Sequence, residues 1–367
     1  MKVDGRHFRS IWLETDGWSV GAIDQRRLPH EFVVTRLTNC TEAAAAIHSM
    51  LVRGAPLIGA TAAFGMALAM REDASDAAIE GAYQMLIATR PTAINLKWAL
   101  EAMRAVLKPL APSARCEAAY ARAEEIADED VAINRSIAQN GLSLIEAIAA
   151  KKPGEVVNVL THCNAGWLAT VDWGTATAPI YLAHDRGHKV HVWVDETRPR
   201  NQGASLTAFE LGHHGVEHTI IPDNTGGHLM QHWMVDIVIV GADRVAANGD
   251  VCNKVGTYLK AIAAFDNGVP FYVALPSPTI DFSLSEGREV PIEQRSGEEV
   301  ATMTGRTVDG RIETVRIVPE GSPVANYGFD VTPARLVSSL ITERGVLKAD
   351  RAALSAAFPE RLASAAE

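Results

Sequence analysis

Cysteine is scarce: the 367 residues hold four, Cys40, Cys116, Cys163 and Cys252, and no two form a C-x-x-C pair. With no secretion signal in MKVDGRHFRSIWLETDG, which is charged throughout, they are expected to be reduced thiols of a cytoplasmic protein. Positive charge is also short. Lys and Arg number 34 against 44 Asp and Glu, a formal net charge of −10, and no basic stripe stands out, so nucleic acid is not an expected partner. Long apolar runs are missing too. The most apolar stretch, APLIGATAAFGMALAM, is broken by glycines and bounded by Arg53 and Arg71, which predicts a buried helix rather than a membrane span. No G-x-G-x-x-G follows an expected strand, and neither a P-loop nor a G-x-S-x-G elbow occurs. Dinucleotide, nucleotide and serine-hydrolase sites are therefore disfavoured.

The chain does have ample apolar residue, 47%, for a large core. Its rhythm changes near Gly154. Before it, SIWLE, WSVGAID and EFVVTRL predict a few short strands. TEAAAAIHSMLV, LIGATAAFGMALAMRE, RPTAINLKWALEAMRAVL (with Pro91 near its start) and roughly 117–150 predict helices. After it, EVVNVL, HVWVDET, HTIIPD, VDIVIVGAD and PFYVAL predict strands. They alternate with helical LATVDWGTATAPIYLAHDRG, SLTAFELGHHG, GGHLMQHW and NKVGTYLKAIAAFDNG. VTPARLVSSLITERG predicts a late helix stopped at Gly345, and the alanine-rich tail a terminal helix. The expectation is an α/β protein. Residues 1–150 would form a smaller, mainly helical N-terminal domain with a few short strands. Residues 151–367 would form a Rossmann-like, mostly parallel sheet domain with a helical tail.

Open parallel sheets bind ligands outside the carboxyl ends of their strands. Cys163 lies just past EVVNVL, Arg198 and Gln202 just past HVWVDE, and Asp243 just past VDIVIVGA. Three strands thus deliver reactive or polar residues to one edge. Cys163 is expected to open a helix, whose N-terminus would favour the thiolate. Asp243 follows an apolar run, where burial would raise its carboxyl toward the range useful for proton transfer. Asn253 and Lys254 are expected at a helix start, an anion site with an added cation. Arg53-Gly54-Ala55 sits at a helix break with free backbone N–H groups, and Arg90 precedes Pro91; both suit an oxyanion or phosphate. No metal is expected: His162 adjoins Cys163 on an extended segment, His228 and His232 lack the carboxylate of an H-E-x-x-H motif, and His213 and His214 follow a helix end. What remains is an anion-accepting cleft with a thiol, a carboxylate and no evident cofactor.

RGAPLIG, RPTAINL, THCNAG with LAT, ETRPRNQGASLTAFEL and GADRVAANGDVCNKVGTY together resemble the signatures of the 5-methylthioribose-1-phosphate isomerase family. The resemblance runs from IDQRRLP to FDVTPARLVSSLITERG. The wider family includes regulatory subunits of the exchange factor for eukaryotic initiation factor two and archaeal ribose-1,5-bisphosphate isomerases. The resemblance implies isomerisation of 5-methylthioribose 1-phosphate in methionine salvage, no cofactor, and a homodimer. It implies Cys163 and Asp243 as the catalytic pair, with Arg53, Gly54, Ala55, Arg90, Gln202, Asn253 and Lys254 contacting substrate. Trp167 and Trp173 depart from the small residues expected after THCNAG; packing of the following segment is the favoured reading for both. They leave a plain 5-deoxyribose phosphate open beside the methylthio sugar. A ribose 1,5-bisphosphate isomerase would need a second cationic pocket, and a non-catalytic sugar-phosphate-binding subunit would not need both Cys163 and Asp243.

Overall fold

The computed structural model describes residues 1–90 and 92–364; Pro91 and the end of the expected terminal helix, residues 365–367, lie outside the described residues. The chain begins with a two-stranded ribbon, β1 (Lys2–Val3) and β2 (Arg6–His7), and an antiparallel sheet of β3 (Ile11–Leu13), β4 (Val20–Ile23) and β5 (Val34–Leu37). Five helices follow: α1 (Cys40–His48), α2 (Ala55–Glu72), α3 (Asp76–Ile87), α4 (Ile94–Leu107) and α5 (Pro112–Ala149). Asn39 caps α1 by accepting from the Glu42 N–H, and Ser75 caps α3 through the Ala78 N–H. As its composition predicts, α2 is buried on nearly every side, packed between α4, α5 and α1.

The second half alternates β6 (Val157–Thr161), α6 (Ala178–Asp185), β7 (Val190–Asp195), α7 (Ala208–His214), β8 (Glu217–Ile221), α8 (Thr225–Gln231) and β9 (Ile237–Val240). Then come β10 (Arg244–Ala246), β11 (Val251–Lys254), α9 (Thr257–Asp266), β12 (Phe271–Ala274) and β13 (Ile280–Asp281). The chain ends with α10 (Glu298–Ala301), β14 (Thr302–Arg306), β15 (Ile312–Arg316), β16 (Phe329–Thr332), β17 (Ser339–Thr342), β18 (Gly345–Leu347), α11 (Arg351–Ala357) and α12 (Pro359–Ser364). The main sheet runs β18-β17-β12-β9-β6-β7-β8 and is parallel except for β18. Leaving β18 aside and counting its strands in chain order, this is the doubly wound order 3-2-1-4-5-6. The period-two rule explains its two cores: Val159, Ile237 and Ile239 pack on one face, Leu160, Val238 and Val240 on the other. The expected α/β class with a helical N-terminal region and a mostly parallel sheet is therefore the observed one.

Several local expectations fail, each for a physical reason. VTPARLVSSLITERG is not a helix. It supplies the end of β16, a short turn, and β17, whose Leu340 and Ile341 are fully buried beside β12. Pairing in a buried sheet overrides helix propensity there, and Gly345 begins β18. In LATVDWGTATAPIYLAHDRG only the last part, α6, is a helix of more than one turn. The Ala165 carbonyl collects the N–H groups of Thr175 and Ala176, which folds the segment back on itself. Asn253 and Lys254 do not open a helix but lie in β11, which pairs with β10 across Asn248-Gly249. Gly249 takes φ +90°, the conformation that an Asn-Gly turn supplies. Cys163 likewise opens no helix; it sits in a turn with φ +65°.

Gly54 caps α2 with φ +97° and ψ 136°, and a Cβ added there would lie 2.4 Å from the Ala169 carbonyl oxygen. Gly54→Ala is expected to lose roughly 1–3 kcal/mol of stability from backbone strain alone, read from urea unfolding midpoints. Wild-type stability in that variant would show that the cap does not need glycine.

Candidate active site

The order of the sheet reverses between β6 and β9, and crevices form at such switch points. Cys163 lies just past β6, and Asp243 lies just past β9. Arg53, Gly54 and Ala55, at the start of α2, meet Cys163, Asp243 and Asn253 around one small cavity of about 30 Å3. Arg90 and Ala55 share a second cavity of about 30 Å3 with Asp243, on the other side of that carboxyl. Gln202 lies elsewhere, with Arg53, in an open cleft of about 690 Å3. Lys254 is buried, and its Nζ lies 5.5 Å from the centre of the Phe329 ring. The large cleft reaches neither Cys163 nor Asp243; Arg53 is the side chain common to it and the inner cavity.

The backbone at Cys163 is held on both sides. Its N–H donates to Thr197 Oγ1 at 2.8 Å, and its carbonyl accepts from Thr207 Oγ1 at 2.7 Å. A non-glycine residue at positive φ costs about 1–3 kcal/mol, and these two threonines offset that strain. Burial pushes the Cys163 thiol up, against the opposing charges of Arg53 and Lys254, and Asp243 adds to the rise. The group is thus a thiol at neutral pH, which corrects the thiolate expected from a helix N-terminus. Burial likewise raises the Asp243 carboxyl, against Lys254, Arg53 and Arg90. Burial lowers the Lys254 ammonium, against the pull of Cys163 and Asp243. The arrangement therefore offers two weak acids facing each other between cations.

Arg53 is gripped by one neutral residue: its guanidinium donates to Asn164 Oδ1 at 2.6 Å and to the Asn164 carbonyl at 2.9 Å. The other arginines of the cleft are paired with carboxylates, Arg26 with Asp24, Arg27 with Glu31 and Arg200 with Glu299. Arg90 is paired with Glu293 at 2.9 Å. Among the described residues neither Arg53 nor Lys254 has a carboxylate within 4 Å, so their charge is free to meet an anion. Sequence reasoning missed what fixes Arg53. Asn164 Nδ2 donates to Glu210 Oε1 at 2.9 Å, and buried Glu210 also accepts from the Leu168 N–H and the Tyr181 hydroxyl. Burial raises the Glu210 carboxyl against these donors. The available signal was a glutamate inside the apolar run of SLTAFEL.

His162 is, among the described residues, the histidine that lines the inner cavity. Its ring nitrogens are engaged by Asp195, at 2.9 Å, and by the Val255 carbonyl. Among the described residues His162, Asp195 and Asp223 form the one group with metal-ligand spacing, but Lys260 Nζ already stands 3.0 Å from Asp195. The His228 and His232 rings lie against each other at a tilt, centroids 4.3 Å apart, and His213 and His214 face Asp4 and Asp185. Trp167 is buried in the core, and Trp173 lies under Arg135; neither lines the inner cavities, in keeping with packing.

Fold and site define an α/β protein with a small cavity lined by Arg53, Cys163 and Asp243 at the switch point of a doubly wound sheet. A sequence profile described as the initiation factor 2 subunit family matches residues 51–349, and the chain belongs to that family. The methylthioribose-1-phosphate isomerase of Rhodospirillum centenum is 64% identical, over 98% of this chain and 96% of that protein. That of Sinorhizobium medicae is 64% identical over 98% and 100%. The crystal structure of 5-methylthioribose 1-phosphate isomerase from Pyrococcus horikoshii OT3 superposes with a TM-score of 0.83 at 39% identity, covering 97% of both chains. Subunit delta of translation initiation factor eIF-2B from A. fulgidus gives 0.79 at 38%, covering 96% of this chain and 100% of that one.

Asp243 raises the Cys163 thiol, so Asp243→Asn is expected to lower it and to speed alkylation of Cys163 at pH 8. Mass spectrometry of iodoacetamide-treated protein, with the partly exposed Cys116 as reference, reads the change. An unchanged Cys163 rate would separate the two groups electrostatically.

Proposed function

We propose that this chain is an aldose–ketose isomerase converting 5-methylthioribose 1-phosphate to 5-methylthioribulose 1-phosphate, a step of methionine salvage, without a cofactor. One observation carries the reading: a buried thiol and a raised carboxyl at the switch point, with Arg53, held by Asn164, and buried Lys254 acting on both. The near-full-length identity to proteins named for this reaction supports the substrate. Arg53 and Lys254 take the phosphate and its developing charge, with Arg90, Gln202, Asn253 and the N–H groups around Gly54 and Ala55 completing the contacts. The other cleft arginines are already paired, which disfavours a second phosphate and hence ribose 1,5-bisphosphate.

The phosphate on the anomeric oxygen prevents opening to a free aldehyde. Protonated Asp243 donates to the ring oxygen as its bond to carbon one breaks, and burial keeps that proton available. Hydrogen then passes from carbon two to carbon one. In the hydride route, the Asp243 carboxylate takes the hydroxyl proton of carbon two and is restored. In the proton route, it shuttles the carbon-bound proton through an enediol-like intermediate. The Cys163 thiol assists opening and stabilises the developing charge. The two small cavities, each of about 30 Å3, meet at Ala55 and Asp243.

We also read residues 1–150 and 151–367 as separate domains of a cytoplasmic homodimer. Among the described residues no helix is long and apolar enough to cross a membrane. Leu259, Ile262 and Phe265 form an exposed apolar row on α9, a surface suited to a second copy. Light scattering is expected to give twice the chain mass, and the chain mass alone would remove the dimer.

Phosphorus NMR is expected to show wild type converting the anomeric ester to a primary ester. Cys163→Ala and Asp243→Asn should each lose roughly 10²–10⁴ in kcat while still binding substrate. Full activity in both variants would sink the assignment. Because the acid form of Asp243 acts first, kcat should fall as pH rises through its raised pKa, and Asp243→Glu should move that limb. Complete washout of deuterium from carbon two would eliminate the hydride route.

A further inference from the structure

His162 stands between the end of β6 and Cys163, 1% exposed. Both of its ring nitrogens face acceptors. Nδ1 is 2.9 Å from Asp195 Oδ2, at the end of β7, and Nε2 is 2.9 Å from the carbonyl of Val255, which follows Lys254. Asp195 Oδ2 also lies 3.0 Å from Lys260 Nζ, which has only protons to offer, so that oxygen accepts from both sides. A backbone carbonyl can only accept. A neutral imidazole carries one N–H and one lone pair, and here it would set that lone pair against an oxygen in a buried place. The imidazolium, with two N–H groups, satisfies both partners. The charges around it agree. Asp223 Oδ1 is 4.0 Å from Nδ1, and Lys260 Nζ also donates to the Asp223 carbonyl at 2.6 Å. Burial raises the Asp330 carboxyl on β16, and the Gly256 and Tyr258 N–H groups, His162 and Lys260 oppose that rise.

The consequence lies one residue away on each segment. His162 precedes Cys163 and Val255 follows Lys254, so the Nε2 bond ties the segment carrying the thiol to the segment carrying the ammonium. Burial pushes the Cys163 thiol up, with Arg53 and then Lys254 opposing. Burial lowers the Lys254 ammonium, with Cys163 and then Asp243 opposing. Asp195 braces the other side: its carbonyl accepts at 3.0 Å from Thr197 Oγ1, the hydroxyl that accepts from the Cys163 N–H.

We propose that His162 is a positioning residue of the reaction, an imidazolium whose Nε2–H holds the Val255 carbonyl and so keeps Lys254 in register with Cys163. Only its effect on turnover rests on the isomerase reading above.

Nitrogen-15 correlation spectra of histidine-labelled wild type, with His162 assigned by its absence from His162→Gln, are expected to show both ring nitrogens protonated at neutral pH. One unprotonated nitrogen overturns the proposal. Glutamine places an amide N–H where Nε2 stands, whereas asparagine reaches only as far as Nδ1. The midpoint of Cys163 alkylation against pH is therefore expected to rise in His162→Asn, as Lys254 is released, and to stay near the wild-type value in His162→Gln. Loss of the ring's charge alone would move both midpoints alike, and general loosening would speed alkylation in both without moving either; each result overturns the tether. His162→Asn is expected to lose roughly ten- to a hundredfold in kcat, most of it restored in His162→Gln, and equal losses overturn the role. If His162→Asn fails to fold, the wild-type spectrum and the His162→Gln midpoint decide, a shifted midpoint there overturning the tether. If wild type does not convert 5-methylthioribose 1-phosphate, the isomerase reading fails while the spectrum and the alkylation profiles still decide the tether.

Discussion

The site depends on the bidentate grip of Asn164 on Arg53. A guanidinium is most cheaply buried against a carboxylate, and the neighbouring arginines are held that way. Asn164 holds Arg53 with two uncharged oxygens instead, so orientation is fixed without cancelling the charge. The carboxylate that would normally do this task, Glu210, stands one step back and holds Asn164. The grip also joins the two halves of the molecule, because Arg53 precedes α2 and Asn164 follows β6.

From that uncancelled charge the acid–base behaviour follows. Desolvation alone would suppress ionisation of Cys163 and Asp243 altogether. Arg53 and Lys254 pull the other way, and the net shift remains upward for both acids. The two groups are thus weakened acids held between cations.

Much of this was legible in the sequence, and what was not has identifiable causes. The apolar runs EVVNVL and VDIVIV are continuous because their strands are covered on both faces, and the rule about strand ends then located Cys163 and Asp243. The convergence of Arg53 and Asn253 on them could not be read from spacing, since they arrive from α2 and β11. Asn253 and Lys254 were misplaced because NKVGTYLKAIAAFDNG was read as one helix, whereas its first two residues pair with β16 and the helix begins at Thr257. β17 was read as part of a helix although its Ile341 and Thr342 favour a strand; its pairing with β12 decides.

The positions of Cys163 and Asp243 on hydrogen-bonded neighbours have a mechanical consequence. β6 and β9 are tied at a spacing of about 4.8 Å, so the thiol and the carboxyl share the stiffness of the sheet. Arg53 is tied to the same sheet through Asn164, which follows β6, so it shares that stiffness although it precedes α2.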